Sequence, residues 1–258
     1  MKKKPYISII TPNFNNDKYL EETILSVKNQ NNKNYEYIVI DGKSNDGSLK
    51  IINKYKKYIN YFETKKDRSN FHAVDKGIRK SKGEIILWIN SGDILHPNAT
   101  KNVSEIFSKK PDINWINGRS GYIKKKFKFF FIPYLYPKSK ILNGLAHKKY
   151  WGYIQQESVS FRKKLYVRSK GLNTKKYSAG DYFLWKKFAK TEKLNTYFVK
   201  IGYFRTHENQ LSSIKNYYEK DTGYISSKND LNIERLIYSL INLPLIILKT
   251  YVLKFFNF

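Results

Sequence analysis

Residues 7–48 read ISIITPNFNNDKYLEETILSVKNQNNKNYEYIVIDGKSNDGS. ISIIT is apolar enough for a buried strand. Leu20, Ile24 and Val27 then recur at helical spacing, with Asn16 or Asp17 placed to cap the helix. YEYIVID is a second apolar strand that ends on a carboxylate, Asp41. Strand, helix and strand in this order are the building unit of a parallel sheet.

The same alternation continues outward. NDGSLKIINKYKKY is expected to be helical, with Leu49, Ile52 and Tyr55 on one face, and INYFET reads as a short strand. NFHAVDKGIRKSKG is a helix ended by Gly83. EIILWINSGD is a buried strand that turns polar at once, at Asn90, Ser91, Gly92 and Asp93. PNATKNVSEIFSKK starts with Pro97 near a helix N-terminus and carries Val103, Ile106 and Phe107 inward; INWING is one more strand. The fold class is therefore α/β, with a mostly parallel sheet flanked by helices. Such sheets bind ligands beyond the carboxyl ends of their strands. Three exits are polar and converge there: Thr11-Pro12-Asn13, Asp41-Gly42 and Asn90 to Asp93.

The chain has 258 residues, enough for one large domain or a domain with a subdomain. It contains no cysteine, which excludes disulfides and thiolate metal sites. A metal would have to be held by carboxylate, His or carbonyl groups. The net charge of +28 suits either a nucleic-acid surface or an anionic membrane surface with phosphorylated substrates, and part of it serves solubility. The apolar run in MKKKPYISII is too short for a signal peptide, and no uninterrupted apolar stretch reaches the roughly 20 residues of a spanning helix, so a cytoplasmic location is expected.

After residue 120 the pattern changes. GYIKKKFKFFFIPYLYP is basic and aromatic, and SAGDYFLWKKFAKTEKL is a helix with Phe183, Leu184 and Phe188 on its apolar face. From Ile233 to Phe258 the chain is rich in Leu, Ile and Phe but interrupted by Asn242 and Pro244 and dotted with Lys249 and Lys254. This tail reads either as an amphipathic anchor in the membrane interface or as a helix packed on the domain.

Residues 7–48 resemble the opening of the family 2 glycosyltransferases, which have the GT-A fold. DRSNFHAVDKGIRKSKGEIILWINSGD resembles their next block, and YIQQESVSFRKKLY and AGDYFLWKKFAK resemble the acceptor-side segments of members that build bacterial surface polysaccharides such as capsule or lipopolysaccharide. The likeness covers about residues 5–213. It implies a nucleotide-sugar-binding half (1–120), an acceptor-side half (121–215) and a separate C-terminal apolar helical tail (216–258).

The resemblance assigns Asp41 to recognition of the base; the same residue also suits an Asx-type turn through Ser44 or Gly42. Thr11, Pro12, Asn13, Asn15 and Ser44 would shape the nucleotide slot. Asp93 aligns with the last, metal-binding acid of the family motif. Gly92 and Asn90 replace its other acidic positions, which lowers the expected affinity for Mg²⁺ or Mn²⁺. Asp181 matches the general base of an inverting transfer, or else simply caps a helix.

Outside the motif, Gln155, Gln156 and Glu157 are candidates for acceptor hydroxyls, and His207 for the metal or diphosphate. Lys76 and Arg79 suit phosphate neutralisation or a solvated helix face. The expected function is transfer of a sugar from a nucleotide donor, with UDP-sugar favoured, to a saccharide or lipid-linked acceptor at the inner face of the cell membrane. A basic nucleic-acid-binding protein and a catalytically silent relative are the alternatives. Dispersed lysines and the lack of a nucleic-acid-binding signature weigh against the first. A sugar-phosphate nucleotidyltransferase would show a glycine-rich loop where TPNFNN stands.

Overall fold

A computed structural model describes residues 6–124, 127–146, 152–174, 178–206, 222 and 233–255. The first strands are β1 (Ile7–Asn13), β2 (Tyr35–Asp41), β3 (Tyr61–Thr64) and β4 (Ile85–Trp88). Between them run α1 (Asp17–Lys28), α2 (Ser48–Lys54) and α3 (Asn70–Lys80). The short β5 (Ile94–Leu95), α4 (Ala99–Lys109), β6 (Trp115–Lys124) and β7 (Phe127–Phe130) follow. Then come α5 (Lys138–Leu142), a 3₁₀ turn (Gln156–Ser158), β8 (Val159–Arg162), α6 (Lys163–Arg168), α7 (Gly180–Thr191), β9 (Asn195–Thr206) and α8 (Ile233–Phe255).

The strands form one mixed sheet in the order β3-β2-β1-β4-β8-β6-β9-β5, with β7 paired to β6. The β3-β2-β1-β4 block is parallel, as the strand–helix alternation implies. β8 enters antiparallel between β4 and β6, and β6 pairs parallel with β9. Residue 120 lies inside β6, so the nucleotide-side and acceptor-side halves share one sheet.

Alternation along the strands sorts the helices onto two faces. Ile7 and Ile9 of β1 pack with Leu20 and Ile24 of α1, Ile52 of α2 and Val103 and Phe107 of α4. Ile10 points the other way, toward Phe71 and Val74 of α3 and Leu184 and Phe188 of α7. The helix expected over 45–58 is shorter: α2 stops at Lys54 and a 3₁₀ turn covers Lys56–Tyr58. Asn16 occupies the N-cap position of α1 without capping through its side chain, because its Nδ2 donates to the Ser91 carbonyl at 2.6 Å.

The tail departs from expectation. α8 runs unbroken through Pro244, and Leu236–Lys254 is long and apolar enough to cross a bilayer by length and composition. Proline removes the backbone bond to the Leu240 carbonyl, and nearby Asn242 donates its side chain to the Tyr238 carbonyl at 2.8 Å. One side of α8 docks: Ser239, Ile246, Thr250 and Leu253 are buried. Thr250 Oγ1 accepts the Phe198 N–H at 2.9 Å, and Lys109 Nζ donates to the Leu253 carbonyl at 2.7 Å. The opposite side is apolar and exposed, with Ile237, Ile241, Leu245, Leu248 and Tyr251 facing out.

Candidate active site

The exits of β1, β2 and β3 are tied together by one buried carboxylate. Asp41 Oδ1 accepts from Asn13 Nδ2 (2.8 Å) and Ser44 Oγ (2.5 Å). Its Oδ2 accepts from the Ser44 N–H (2.9 Å) and Thr64 Oγ1 (2.8 Å). A carboxylate offers about four acceptor sites, and all are filled here. Asp41 therefore forms the Asx-type turn. Thr11 is also interior, with its Oγ1 accepting from Tyr37 Oη at 3.1 Å. Pro12 is buried, and its carbonyl accepts the Ser91 N–H at 3.3 Å. Neither Thr11 nor Asp41 presents its side chain to a solvent-open slot. Asn13 is buried as well, and its Oδ1 has no hydrogen-bond partner.

Asn15 adopts a left-handed φ of 47° and bridges to the next loop. Its N–H donates to Ser44 Oγ and its Oδ1 accepts the Asn45 N–H, each at 2.9 Å. The bend turns Phe14 outward, leaving it 64% exposed. This ring was missed in the sequence, where an aromatic in a polar loop at a strand exit is the only signal.

Asp67 was missed too, hidden in the lysine-rich stretch after β3. Its side chain is almost wholly buried, with Oδ1 2.8 Å from His72 Nδ1 and 3.1 Å from Lys76 Nζ, contacts that are not aligned as hydrogen bonds. Lys76 also pairs with Glu63 at 2.6 Å. The charge of Lys76 is thus already matched by two carboxylates, whereas Lys65, Lys66 and Arg68 stand exposed beside it. Arg79 pairs with Asp75 one helical turn away.

At the exit of β4, Asn90 Oδ1 accepts from Trp88 Nε1 (2.8 Å) and its Nδ2 donates to Gln156 Oε1 (3.0 Å). Gln156 Nε2 donates in turn to the Trp88 carbonyl. Gly92 takes a φ of +107°, and its carbonyl accepts from Arg205 Nε at 2.7 Å. Asp93 is 5% exposed, and its Oδ1 accepts the Arg205 backbone N–H at 2.9 Å. Burial pushes its carboxyl up to about 7, against the opposing pull of the Arg205 N–H, Asn90 and the Arg205 charge.

The turn before β8 brings Gln155 to the Gly121 carbonyl at 3.2 Å and leaves Gln155 Oε1 and Glu157 Oε1 buried without hydrogen-bond partners. Glu157 is 2% exposed, so it does not offer itself to solvent as an acceptor contact. Burial raises its carboxyl well above the usual range, and Asp93 and then Asp181 add to the rise. Asp181 stands in the first turn of α7. The preceding Gly180 lets α7 approach α3, because a Cβ there would lie 2.6 Å from the Phe71 ring. Phe71 in turn meets Trp88, the last residue of β4, edge to face, so the start of α7 is linked to the end of β4 through these two rings. His207 lies outside the described residues.

Among the described residues no group of three or more His, Cys, Asp or Glu could hold a metal. Mg²⁺ and Mn²⁺ need less, since one or two carboxylates suffice when phosphate and water complete the shell. Asp93 with the orphaned Glu157 oxygen fits that requirement.

The sheet order and the loops at its carboxyl edge define a GT-A-type α/β protein. The sequence profile of glycosyl transferase family 2 matches residues 8–166, and the chain belongs to that family. It is 36% identical over 120 residues to the poly(ribitol-phosphate) beta-N-acetylglucosaminyltransferase TarP of Staphylococcus aureus, a match covering 45% of this chain and 36% of that protein. It is 25% identical over 234 residues to an uncharacterized glycosyltransferase of Haemophilus influenzae, covering 86% and 72% of the two chains. The chain thus spans about a third of the length of TarP. The crystal structure of S. aureus TarS 1–349 with UDP-GlcNAc superposes with a TM-score of 0.68 at 16% identity, covering 83% of this chain and 64% of that one. The mannosyltransferase PcManGT of Pyrobaculum calidifontis with GDP-Man and Mn²⁺ gives 0.61 at 15% identity, covering 98% and 74%. Asp181 and Arg205 lie beyond the stretch matched by the family profile.

Proposed function

We propose that this chain is an inverting glycosyltransferase that moves a sugar from a nucleotide-sugar donor to a saccharide or lipid-linked acceptor in cell-surface polysaccharide synthesis. The observation that carries this reading is the placing of Asp93 just beyond β4 and of Glu157 against the same reach of β9 that holds Asp93. Asn13 Oδ1 supplies an unmet acceptor, and Phe14 a face on which a base can stack. Asp41 acts by holding the Asn13–Ser44 loop in shape. Lys76 serves as a positioning residue for Asp67, and exposed Lys65, Lys66 and Arg68 supply positive charge for the diphosphate. UDP-GlcNAc bound to the TarS fold favours a UDP-sugar.

Asp181 takes the proton of the acceptor hydroxyl as its oxygen forms a bond to the anomeric carbon. The bond from that carbon to the diphosphate oxygen breaks, and the nucleoside diphosphate leaves from the opposite side, so the configuration inverts. When bound, the divalent cation neutralises charge on the leaving diphosphate. Asp93 and Glu157 would hold it.

The location is proposed to be cytoplasmic, at the inner face of the membrane. The outward apolar side of α8 and the net charge of +28 support contact with an anionic bilayer.

The test is calorimetric binding of UDP, dTDP, GDP and CDP with and without Mn²⁺, to the wild type and to Asp93→Ala. Metal-dependent binding of one nucleotide, lost in the variant, is expected. The absence of nucleotide binding under every condition would overturn the reading.

A further inference from the structure

The loop after β4 delivers a single carboxylate. Its Gly92 adopts a φ of +107°, where L side chains are strained, and a Cβ there would come within 3.1 Å of Asn16 Nδ2. An acid at this position would require the loop to be rebuilt.

A second carboxylate arrives from a different part of the chain. Glu157 sits on a turn pinned at both ends: Ser158 N–H and Oγ both donate to the Gln155 carbonyl, at 3.0 and 2.7 Å, and Gln156 is locked to Trp88 and Asn90. β9 backs the turn closely, because a Cβ on Gly202 would collide with the Glu157 carbonyl. The same strand pairs Gly202 and Tyr203 with Leu95 and Ile94, and its Arg205 N–H holds Asp93. One short reach of β9 therefore supports both carboxylates. Asp93 is the strongest charge acting on Glu157, and Asp181 is the next. Glu157 Oε1 is buried with no hydrogen-bond partner. Two buried carboxylates with an unmet oxygen are costly unless a cation joins them.

We infer that Glu157, from the turn ahead of β8, stands in for the acid missing at position 92 and is the second protein carboxylate for the divalent cation, alongside Asp93. This rests on the donor-site reading above. It moves Glu157 from the acceptor side to the cation, and leaves Gln155, with its unmet Oε1, as the acceptor-facing member of the turn.

The experiment measures Mn²⁺ binding to the full chain in saturating UDP, by the electron paramagnetic resonance signal of free Mn²⁺, for the wild type, Glu157→Gln and Asp93→Ala. UDP binding without metal and thermal midpoints with and without Mn²⁺ are measured in parallel. The expected result for Glu157→Gln is at least tenfold weaker Mn²⁺ binding, unchanged metal-free UDP binding, a metal-free midpoint no lower than wild type, and loss of the Mn²⁺-induced rise. A side chain with only a structural role would lower the metal-free midpoint and leave Mn²⁺ affinity alone. Affinity within twofold of wild type overturns the inference. Should Glu157→Gln fail to fold, Glu157→Asp replaces it: a several-fold change in Mn²⁺ affinity supports the assignment, and none overturns it. A wild type that binds no nucleotide would reject the donor site itself. A wild type that binds UDP with no effect of Mn²⁺ would reject the cation ligand while leaving the nucleotide site standing.

Discussion

Arg205 holds Asp93 with its backbone and the loop before Asp93 with its side chain. Its N–H donates to Asp93 Oδ1 at 2.9 Å while its Nε donates to the Gly92 carbonyl at 2.7 Å. The guanidinium also reaches Glu22 at 2.7 Å and stacks 4.7 Å above the Tyr19 ring. Replacing the side chain should thus loosen the loop without removing the bond to Asp93. Arg205→Ala is expected to lose about 2 kcal/mol in urea unfolding and to weaken Mn²⁺ binding. Arg205→Lys should rescue only part of both, since an ammonium lacks the fork.

Asp41→Ala strands several donors at the joined exits of β1, β2 and β3. It is expected to cost about 3 kcal/mol of stability by denaturant unfolding, whether or not nucleotide is present. A stability close to wild type would return Asp41 to a direct role on the base.

Gly180→Ala drives a methyl group into the Phe71 ring. Gly180 is the first residue of α7, where alanine gains less than the roughly 1 kcal/mol of a helix interior, and overpacking of about 1–3 kcal/mol opposes it. With Asp181 displaced, kcat should fall at least tenfold while UDP affinity stays near wild type, as read by steady-state kinetics and calorimetry.

Lys249 lies 4.0 Å from the centre of the Tyr197 ring on the docked side of α8. Burial, helped by Lys193 and Lys110, lowers its pKa to about 8 from an ordinary value of 10.5. Between these values the unfolded chain holds a proton that the folded protein has released, so stability rises with pH across this window. Below about 8 both states are charged, and the penalty is fully present. The thermal midpoint is expected to show this contribution between pH 8 and 10, and Lys249→Met should abolish it and raise the midpoint at pH 7.

The triple variant Ile241→Asp, Leu245→Asp, Leu248→Asp alters only outward-facing positions of α8. It should keep the wild-type circular dichroism spectrum and lose sedimentation with phosphatidylglycerol vesicles. Retained binding would remove α8 from the membrane contact.

The parallel block was legible because β1, β2 and β4 are apolar runs and the helices between them keep clear faces. ISIIT and YEYIVID became β1 and β2 almost residue for residue. SVSFR reads as a strand and is β8, but its place in the sheet, like the existence of β5, was harder to foresee. Two residues, Ile94 and Leu95, carry no period, and VSFR takes its antiparallel place only because β4 and β6 flank it. Within the site, Asp93 and Asp181 were visible through motif position. The burial of Glu157 was not, since Gln-Gln-Glu reads as surface until β9 closes over it. Asp67 was masked by the surrounding lysines, and the interior location of Thr11 and Asp41 depended on cross-strand partners that a linear pattern does not reveal.

The bond from the Phe198 N–H to Thr250 Oγ1 restricts how this protein can meet a bilayer. α8 closes an otherwise open strand edge there, and peeling it away would bare both that edge and the seat of Leu253. A helix that keeps these attachments cannot also thread through the lipid. Under the bilayer contact proposed above, α8 would lie flat and the body of the fold would rest against the headgroups. The separation between sugar donor and membrane would then be set by the thickness of the fold itself, not by the length of a leash.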